Sequence, residues 1–343
     1  MQLRLTFALL SALSLFLNGC GGSSTPAKSA DGAPTQVRLG YFANVTHAQA
    51  LIGSSRGDFK KALGEKTLLV ERVFNAGPEA VEAIFAGELD ATYIGPSPAI
   101  NAYMKSRGTA VRVVAGSAAN GVVIVVRKGS GITKLEELAG KRIATPQYGN
   151  TQDVSARHYL KNVLKQSLKE DGGKTDIIPI KNAEQLALFK SGEIDAAWAP
   201  EPWGARLVHE AEGTLIAEEK DLWSDKQFTI TLLLVSTKFL KEHPQTVEKL
   251  LSAHVEATKF INANPAEAKS IVNAKLKELT GKPIGDKVLD DTFSRTVFTT
   301  DPLEKSIAKF VEWSRELAFI KEGQDVSGLV DLTLLKKIEA SGK

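Results

Sequence analysis

Gly87-Glu88-Leu89-Asp90-Ala91 recurs 105 residues later as Gly192-Glu193-Ile194-Asp195-Ala196. Each copy ends a helical pattern and is followed by an aromatic, Tyr93 or Trp198, and then by a proline-bounded loop, Pro96-Ser97-Pro98 or Pro200-Glu201-Pro202. Upstream, Arg38-Leu39-Gly40 leads to Asn44 and Thr46 as Arg142-Ile143-Ala144 leads to Asn150 and Thr151. Any one of these matches is common turn chemistry, but their shared order implies two copies of one α/β unit. In each copy glycine ends a helix, the acidic pair lies in a solvated turn, and a short apolar strand delivers a loop at its carboxyl end.

Around the repeat, residues 37–41 read as a short buried strand, with a helix starting from Thr46. Leu68–Phe74 alternates like a second strand, and Gly77-Pro78-Glu79 opens a helix over 80–86. Strand and helix patterns keep alternating at short spacing, which points to α/β units rather than an all-β fold or a helical bundle. Ligands of open α/β sheets bind outside the carboxyl ends of the strands. With two such sheets, the loops face each other across a cleft, as in a clamshell.

The 343 residues, 43% hydrophobic, favour two domains over one. A net charge of +3 from 43 basic and 40 acidic residues lacks the clustered excess that nucleic-acid binding needs, so no nucleic-acid partner is expected. The single cysteine, Cys20, excludes disulfides within the chain, CxxC redox chemistry and Cys-rich zinc sites. The five histidines show no metal-ligand spacing, and no GxSxG, P-loop or GxGxxG motif appears, so neither a metal nor a cofactor is expected. These absences favour a binding protein over an enzyme.

Residues 5–17 form an apolar run too short for a bilayer span of ~20 residues but right for an export signal. Leu17-Asn18-Gly19-Cys20 resembles the bacterial lipobox, whose cysteine is acylated and becomes the first mature residue. The alternative is an ordinary secretory signal with an incidental cysteine. Gly, Ser, Ala and Pro dominate residues 21–34, which suits a flexible tether. The expected division is thus a signal over 1–19, a tether over 20–35 and a folded part from Gln36.

Several stretches together resemble the extracytoplasmic substrate-binding proteins of ABC importers, in the aliphatic sulfonate, taurine and nitrate branch. They are Gly40-Tyr41-Phe42 with Asn44-Val45-Thr46-His47-Ala48, Ala91-Thr92-Tyr93-Ile94-Gly95-Pro96-Ser97-Pro98-Ala99, Gly140-Lys141 to Thr145-Pro146, Gly149-Asn150-Thr151-Gln152-Asp153-Val154 and Pro200-Glu201-Pro202-Trp203. The resemblance covers most of the mature chain and looks closest to the aliphatic sulfonate binders. It implies a type II periplasmic-binding-protein clamshell, each lobe a mixed, mostly parallel sheet flanked by helices. Lobe I would comprise residues 36–118 and 230–343 and lobe II 119–229, with crossings near 119–126 and 229–234. It further implies a small organic anion as ligand, a membrane permease as partner and a monomer, lipid-anchored in the periplasm or at the cell exterior. Taurine, nitrate and a pyrimidine-type ligand remain alternatives, as does an enzyme of the same fold. A desulfinase of that fold uses a cysteine nucleophile, and here the one cysteine is the lipid site.

Three helix starts follow strands, at residues 44–47, 97–100 and 150–153, and none of these loops carries Arg or Lys. An anion is therefore expected to be held by helix N-termini and neutral donors such as Asn44, Thr46, Ser97, Asn150 and Thr151. Ser97 and Thr151 could instead cap their own helices. Tyr41 and Tyr93 could wall the cleft or belong to the core. Trp198 and Trp203 flank Glu201, which could meet a cationic end of a ligand, order other donors or serve the hinge. His47 sits behind the cleft or at its edge. Gly95, Pro96, Asn120, Gln147 and Gly149 complete the candidate set. Asp153 reads as a complement to the helix dipole, and Arg157 as its i,i+4 surface partner.

Overall fold

The computed structural model describes residues 34–342 apart from 322 and 324. The export signal, Cys20 and most of the tether lie outside the described residues. Pro34 and Thr35, counted above with the tether, are bonded to the fold: Thr67 Oγ1 donates to Pro34 O at 3.1 Å, and Leu68 N donates to Thr35 O at 2.9 Å.

Two mixed sheets flanked by helices form the molecule. The first contains β1 (Gln36–Phe42), β2 (Leu68–Phe74), β3 (Ala91–Ile94), β4 (Val111–Asn120), β10 (Thr229–Ser236) and β11 (Thr296–Phe298), in the order β11-β4-β10-β3-β1-β2. The second contains β5 (Val122–Val126), β6 (Arg142–Thr145), β7 (Asp176–Pro179), β8 (Ala196–Pro200) and β9 (Thr214–Glu218), in the order β7-β6-β8-β5-β9. We call each sheet with its helices a lobe, I and II in that order.

The repeat is reproduced in its side-chain contacts. In lobe I, Arg38 Nε and Nη2 grip the Asp90 carboxylate at 2.9 and 2.6 Å, while Arg38 N also donates to it at 2.8 Å. In lobe II, Arg142 Nε and Nη2 grip Asp195 at 3.0 and 2.8 Å, with Arg142 N donating at 3.0 Å. In both, the arginine also reaches the carbonyl of the glycine that opens the motif, Gly87 or Gly192. A bidentate guanidinium–carboxylate pair fixes orientation as well as distance, so each clip locks the strand that carries the arginine, β1 or β6, beside the strand that follows the turn. The parallel registers match, Leu39 facing Ala91 and Ile143 facing Ala196. The acidic turn is therefore not freely solvated: Asp90 is buried.

The parallel share is smaller than expected. In lobe I only β1–β2 and β1–β3 are parallel, and in lobe II only β6–β7 and β6–β8. The remaining ladders are antiparallel because each sheet takes in strands by which the chain passes between lobes, β4 and β10 in one and β5 and β9 in the other. The first passage is the pair Asn120-Gly121, both in the left-handed region at φ 61° and 70°. The second runs over residues 219–228. The stretch 229–234, expected as a crossing, lies within β10 in the first sheet. Among the described residues no helix is long and apolar enough to cross a membrane.

Candidate functional site

Five helix starts converge between the lobes. From lobe I come the 3-10 turn Val45–His47 after β1, the helix Gly77–Phe85 after β2 and the helix Pro96–Lys105 after β3. From lobe II come the helices Thr151–Arg157 after β6 and Asn182–Ser191 after β7. Together they enclose a cavity. Its lobe I wall comprises Phe42, Asn44, Thr46, His47, Asn75, Ala76, Gly77, Gly95 and Pro98, and its lobe II wall Pro146, Asn150, Thr151, Gln152, Asn182 and Pro200. Ile230 and Thr231 of β10 close the hinge side. Among the described residues the lining includes no Asp, Glu, Lys or Arg. The space open to the centres of water-sized molecules is about 30 Å3, room for about two waters.

The backbone is shaped to bring these starts together. Asn150 caps its helix by accepting from Asp153 N at 2.9 Å, and the buried Asp153 carboxylate accepts from Thr145 Oγ1, Gly149 N and Arg157 Nε at 3.0, 2.9 and 2.8 Å. One carboxylate thus ties the end of β6, the turn and the helix into a single unit. Arg157, expected as a surface partner, is buried and also pairs with Glu170. Gly95 allows a close approach of the lobes: a Cβ added there would lie 2.2 Å from Thr151 Oγ1.

Several polar groups of the wall are unspent. The buried hydroxyls of Thr151 and Thr231 and the Asn182 carbonyl have no hydrogen-bond partner. Ser97 Oγ, Gln147 Oε1 and Thr229 Oγ1 share this property, though those residues do not line the cavity. Burial pushes the His47 imidazole down to about 3, so it is neutral over the physiological range. Helix N-termini favour an anion by about 0.3–1 kcal/mol each, up to ~2 where partly buried. A buried pocket with several such termini, free hydroxyls and no countercharge can hold a small anion by dipoles and neutral donors alone.

Of the expected residues, Asn44, Thr46, His47, Gly95, Asn150 and Thr151 line the cavity. Ser97 and Thr151 are not caps, since those positions fall to Gly95 and Asn150. Pro96 forms the first turn of its helix behind the wall. Gly149 and Gln147 belong to the turn before Asn150, where Gly149 takes φ 73°.

The remaining expected residues stand elsewhere. Tyr41 is in the core, its hydroxyl donating to Glu71 at 3.1 Å. Tyr93 is buried with its hydroxyl 2.9 Å from His254 Nδ1. Trp198 donates to the buried Glu219 carboxylate at 2.6 Å. None of the three aromatics lines the cavity. Asn120 holds the first passage, its Oδ1 accepting from Phe228 N at 3.2 Å. Glu201 also belongs to the hinge, fully buried beside Gly121, whose carbonyl accepts from its N–H at 2.9 Å. Its carboxylate accepts from Arg295 Nη1 at 2.8 Å and Ala205 N at 2.9 Å, and burial raises its pKa against the pull of Arg295. Trp203 spans the lobes, donating from Nε1 to Asn44 Oδ1 at 2.8 Å.

The reading of the loops missed Asn75, Gly77, Gln152, Asn182, Ile230 and Thr231. A signal for two of them was present: Asn75-Ala76 and Asn182-Ala183 are 107 residues apart, continuing the repeat onto the loops after β2 and β7.

The two-lobed α/β architecture agrees with comparison to known proteins. The chain belongs to the NMT1-like family, matched over residues 30–276. A Bacillus subtilis protein named for aliphatic sulfonate binding is 28% identical over 339 residues, covering 96% of this chain and 95% of its own. Among solved structures, the alkanesulfonate-binding protein SsuA from Xanthomonas axonopodis pv. citri, bound to MOPS, superposes with a TM-score of 0.71 at 18% identity, covering 87% of this chain and 98% of its own. The periplasmic nitrate-binding protein NrtA from Synechocystis gives 0.75 at 15% identity, covering 90% and 89%. Like these structures, this NMT1-like chain has the periplasmic-binding-protein fold. Among its described residues no group of three or more His, Cys, Asp or Glu could hold a metal ion.

Proposed function

We propose that this chain is the substrate-binding component of an ABC importer, which captures a small organic anion of the aliphatic sulfonate class between its lobes and presents it to a membrane permease. The observation that carries this reading is the convergence of five helix starts and unspent hydroxyls on a cavity whose described lining bears no charge. The B. subtilis relative, similar over nearly the whole chain, supports the same ligand class. The cavity is small, so seating an organic anion requires the lobes to part and close again. A ligand that touches both walls favours the closed form by its differential affinity. Cys20, at the end of a signal-like segment, would carry the lipid that keeps the protein at the outer face of a bacterial membrane, where a ligand-binding subunit must work.

Isothermal titration of the mature, acyl-free protein with methanesulfonate, taurine, nitrate and a hydroxymethylpyrimidine tests the ligand. Binding of methanesulfonate in the micromolar range, about 8 kcal/mol, with the ligand recovered unchanged, is expected. A response to the pyrimidine alone, or turnover of the sulfonate, would overturn the reading. For the anchor, Cys20→Ser should move the protein from the membrane to the soluble fraction, and retention in the membrane would refute it.

A further inference from the structure

Three side chains of the cavity wall, Asn44, His47 and Gln152, can each both donate and accept a hydrogen bond. All three are more than nine-tenths buried, at 7%, 2% and 4% exposure. In each, the protein itself occupies the accepting end. Trp203 Nε1–H, which can only donate, faces Asn44 Oδ1 at 2.8 Å and leaves the Nδ2 hydrogens free. Asn150 Oδ1 is committed to the N–H of Asp153, so its Nδ2 must donate to Gln152 Oε1, at 3.0 Å, leaving Gln152 Nε2. The N–H of Phe42 points at His47 Nδ1, at 3.3 Å, which places the proton of the neutral ring on Nε2. The Thr151 and Thr231 hydroxyls, without partners, can turn to donate as well. Asn75 and Asn182 are the exceptions: Asn75 spends its Nδ2 on Glu79 and is exposed, at the mouth of the cavity, while the Asn182 amide, whose Oδ1 has no partner, is not held in one orientation.

We propose that Trp203, Asn150 and the Phe42 backbone are positioning groups that polarise the pocket into a cage of donors, so that it selects a ligand able only to accept. This rests on the functional reading above and deepens it. A sulfonate oxygen accepts and never donates, whereas a phosphonate monoanion of the same shape carries one O–H that must find an acceptor. In a donor cage that O–H meets fixed donors at Asn44, His47 and Gln152, and finds an acceptor only where a Thr hydroxyl or the Asn182 amide gives up donating to the anion. A donor to the charged ligand lost in this way weakens binding about 10- to 150-fold. A phosphonate is then bound more tightly once it has lost its last proton.

The probes are methanesulfonate and methylphosphonate, titrated into the mature protein by calorimetry at about pH 5.5 and about pH 9, on either side of the second ionisation of a phosphoryl group. In the wild type methanesulfonate should bind at least about tenfold more tightly than methylphosphonate at the lower pH, and the ratio should shrink at the higher pH. Trp203→Phe frees Asn44 to turn its carbonyl inward. Asn150→Ser keeps a helix cap but frees Gln152 to do the same. Each should lower the sulfonate-to-phosphonate ratio at the lower pH at least about threefold, whatever it does to absolute affinity. A merely structural role for Trp203 or Asn150 would weaken both anions in proportion and leave the ratio fixed. Equal binding of the two anions by the wild type at the lower pH, or unchanged ratios in both variants, overturns the donor cage while the functional reading stands. Binding of neither anion by the wild type defeats that reading, and the cage with it.

Discussion

Gly95→Ala is expected to weaken ligand binding while leaving the unliganded fold intact. Gly95 sits at φ −72° and ψ 159°, an ordinary extended conformation that alanine adopts freely. The only obstacle is the opposite lobe. The new methyl would lie 2.2 Å from Thr151 Oγ1, 3.3 Å from Thr151 Cβ and 3.5 Å from Ile230 O. Relief requires Thr151 to rotate, which withdraws its hydroxyl from the cavity, or the lobes to remain more than 1 Å further apart, about the shortfall from van der Waals contact. Overpacking of this kind costs about 1–3 kcal/mol. Here it falls on the closed form alone, so affinity for methanesulfonate should drop roughly 5- to 150-fold, with little change in the thermal midpoint of the free protein. Thr151→Ala removes the clashing oxygen, so a double-mutant cycle should show the pair losing less than the sum of the two single losses. Wild-type affinity in Gly95→Ala, or strict additivity, would refute a closed form in which these residues touch.

Three further outcomes follow from charged groups held by the fold. Hydrogen bonds from Arg142 hold the Asp195 carboxyl down at about 2, so its stabilisation is present above about pH 4 and lost as pH falls toward 2. It should amount to about 1 kcal/mol after solvent screening, and Asp195→Asn should flatten that limb of the acid-unfolding curve. Glu219 is the opposite case, since burial pushes it up to about 7. Its contribution is complete below about pH 4.5 and declines as pH rises through 7, by on the order of 3 kcal/mol. Urea unfolding should accordingly show Glu219→Gln gaining on the wild type at pH 8, while no gain would contradict a buried, unpaired carboxylate. Arg295→Met strands Glu201 at the hinge and should lower the unfolding free energy by about 3–5 kcal/mol, read from the urea midpoint at constant slope.

The fold was legible because its decisive chemistry is local and repeated. An arginine early in a strand and an aspartate in a Gly-Glu-ϕ-Asp turn make the same clip twice, and the helix starts follow their strands at short range. The aromatic positions were not legible, because side chains alternate across a strand. Phe42 lines the cavity while its neighbour Tyr41 points to Glu71 in the core. In β8 position along the strand decides instead: Trp198 meets Glu219, while Pro200, two residues on and on the same face, reaches the cavity at the strand's end. Partners remote in sequence were also hidden: Glu201 finds Arg295 at a separation of 94 residues, and Ile230 and Thr231 enter the wall from β10, which pairs with β3 and β4. No local pattern announces such meetings.

A crystal structure of the mature chain grown with methanesulfonate bears most directly on binding by neutral donors. The sulfonate oxygens are expected between the starts of helices Pro96–Lys105 and Thr151–Arg157, within hydrogen-bond distance of Asn44, Thr151 and Gln152, and with no Lys or Arg side chain in contact. A sulfonate paired with a guanidinium or ammonium group, or seated away from this cavity, would contradict it.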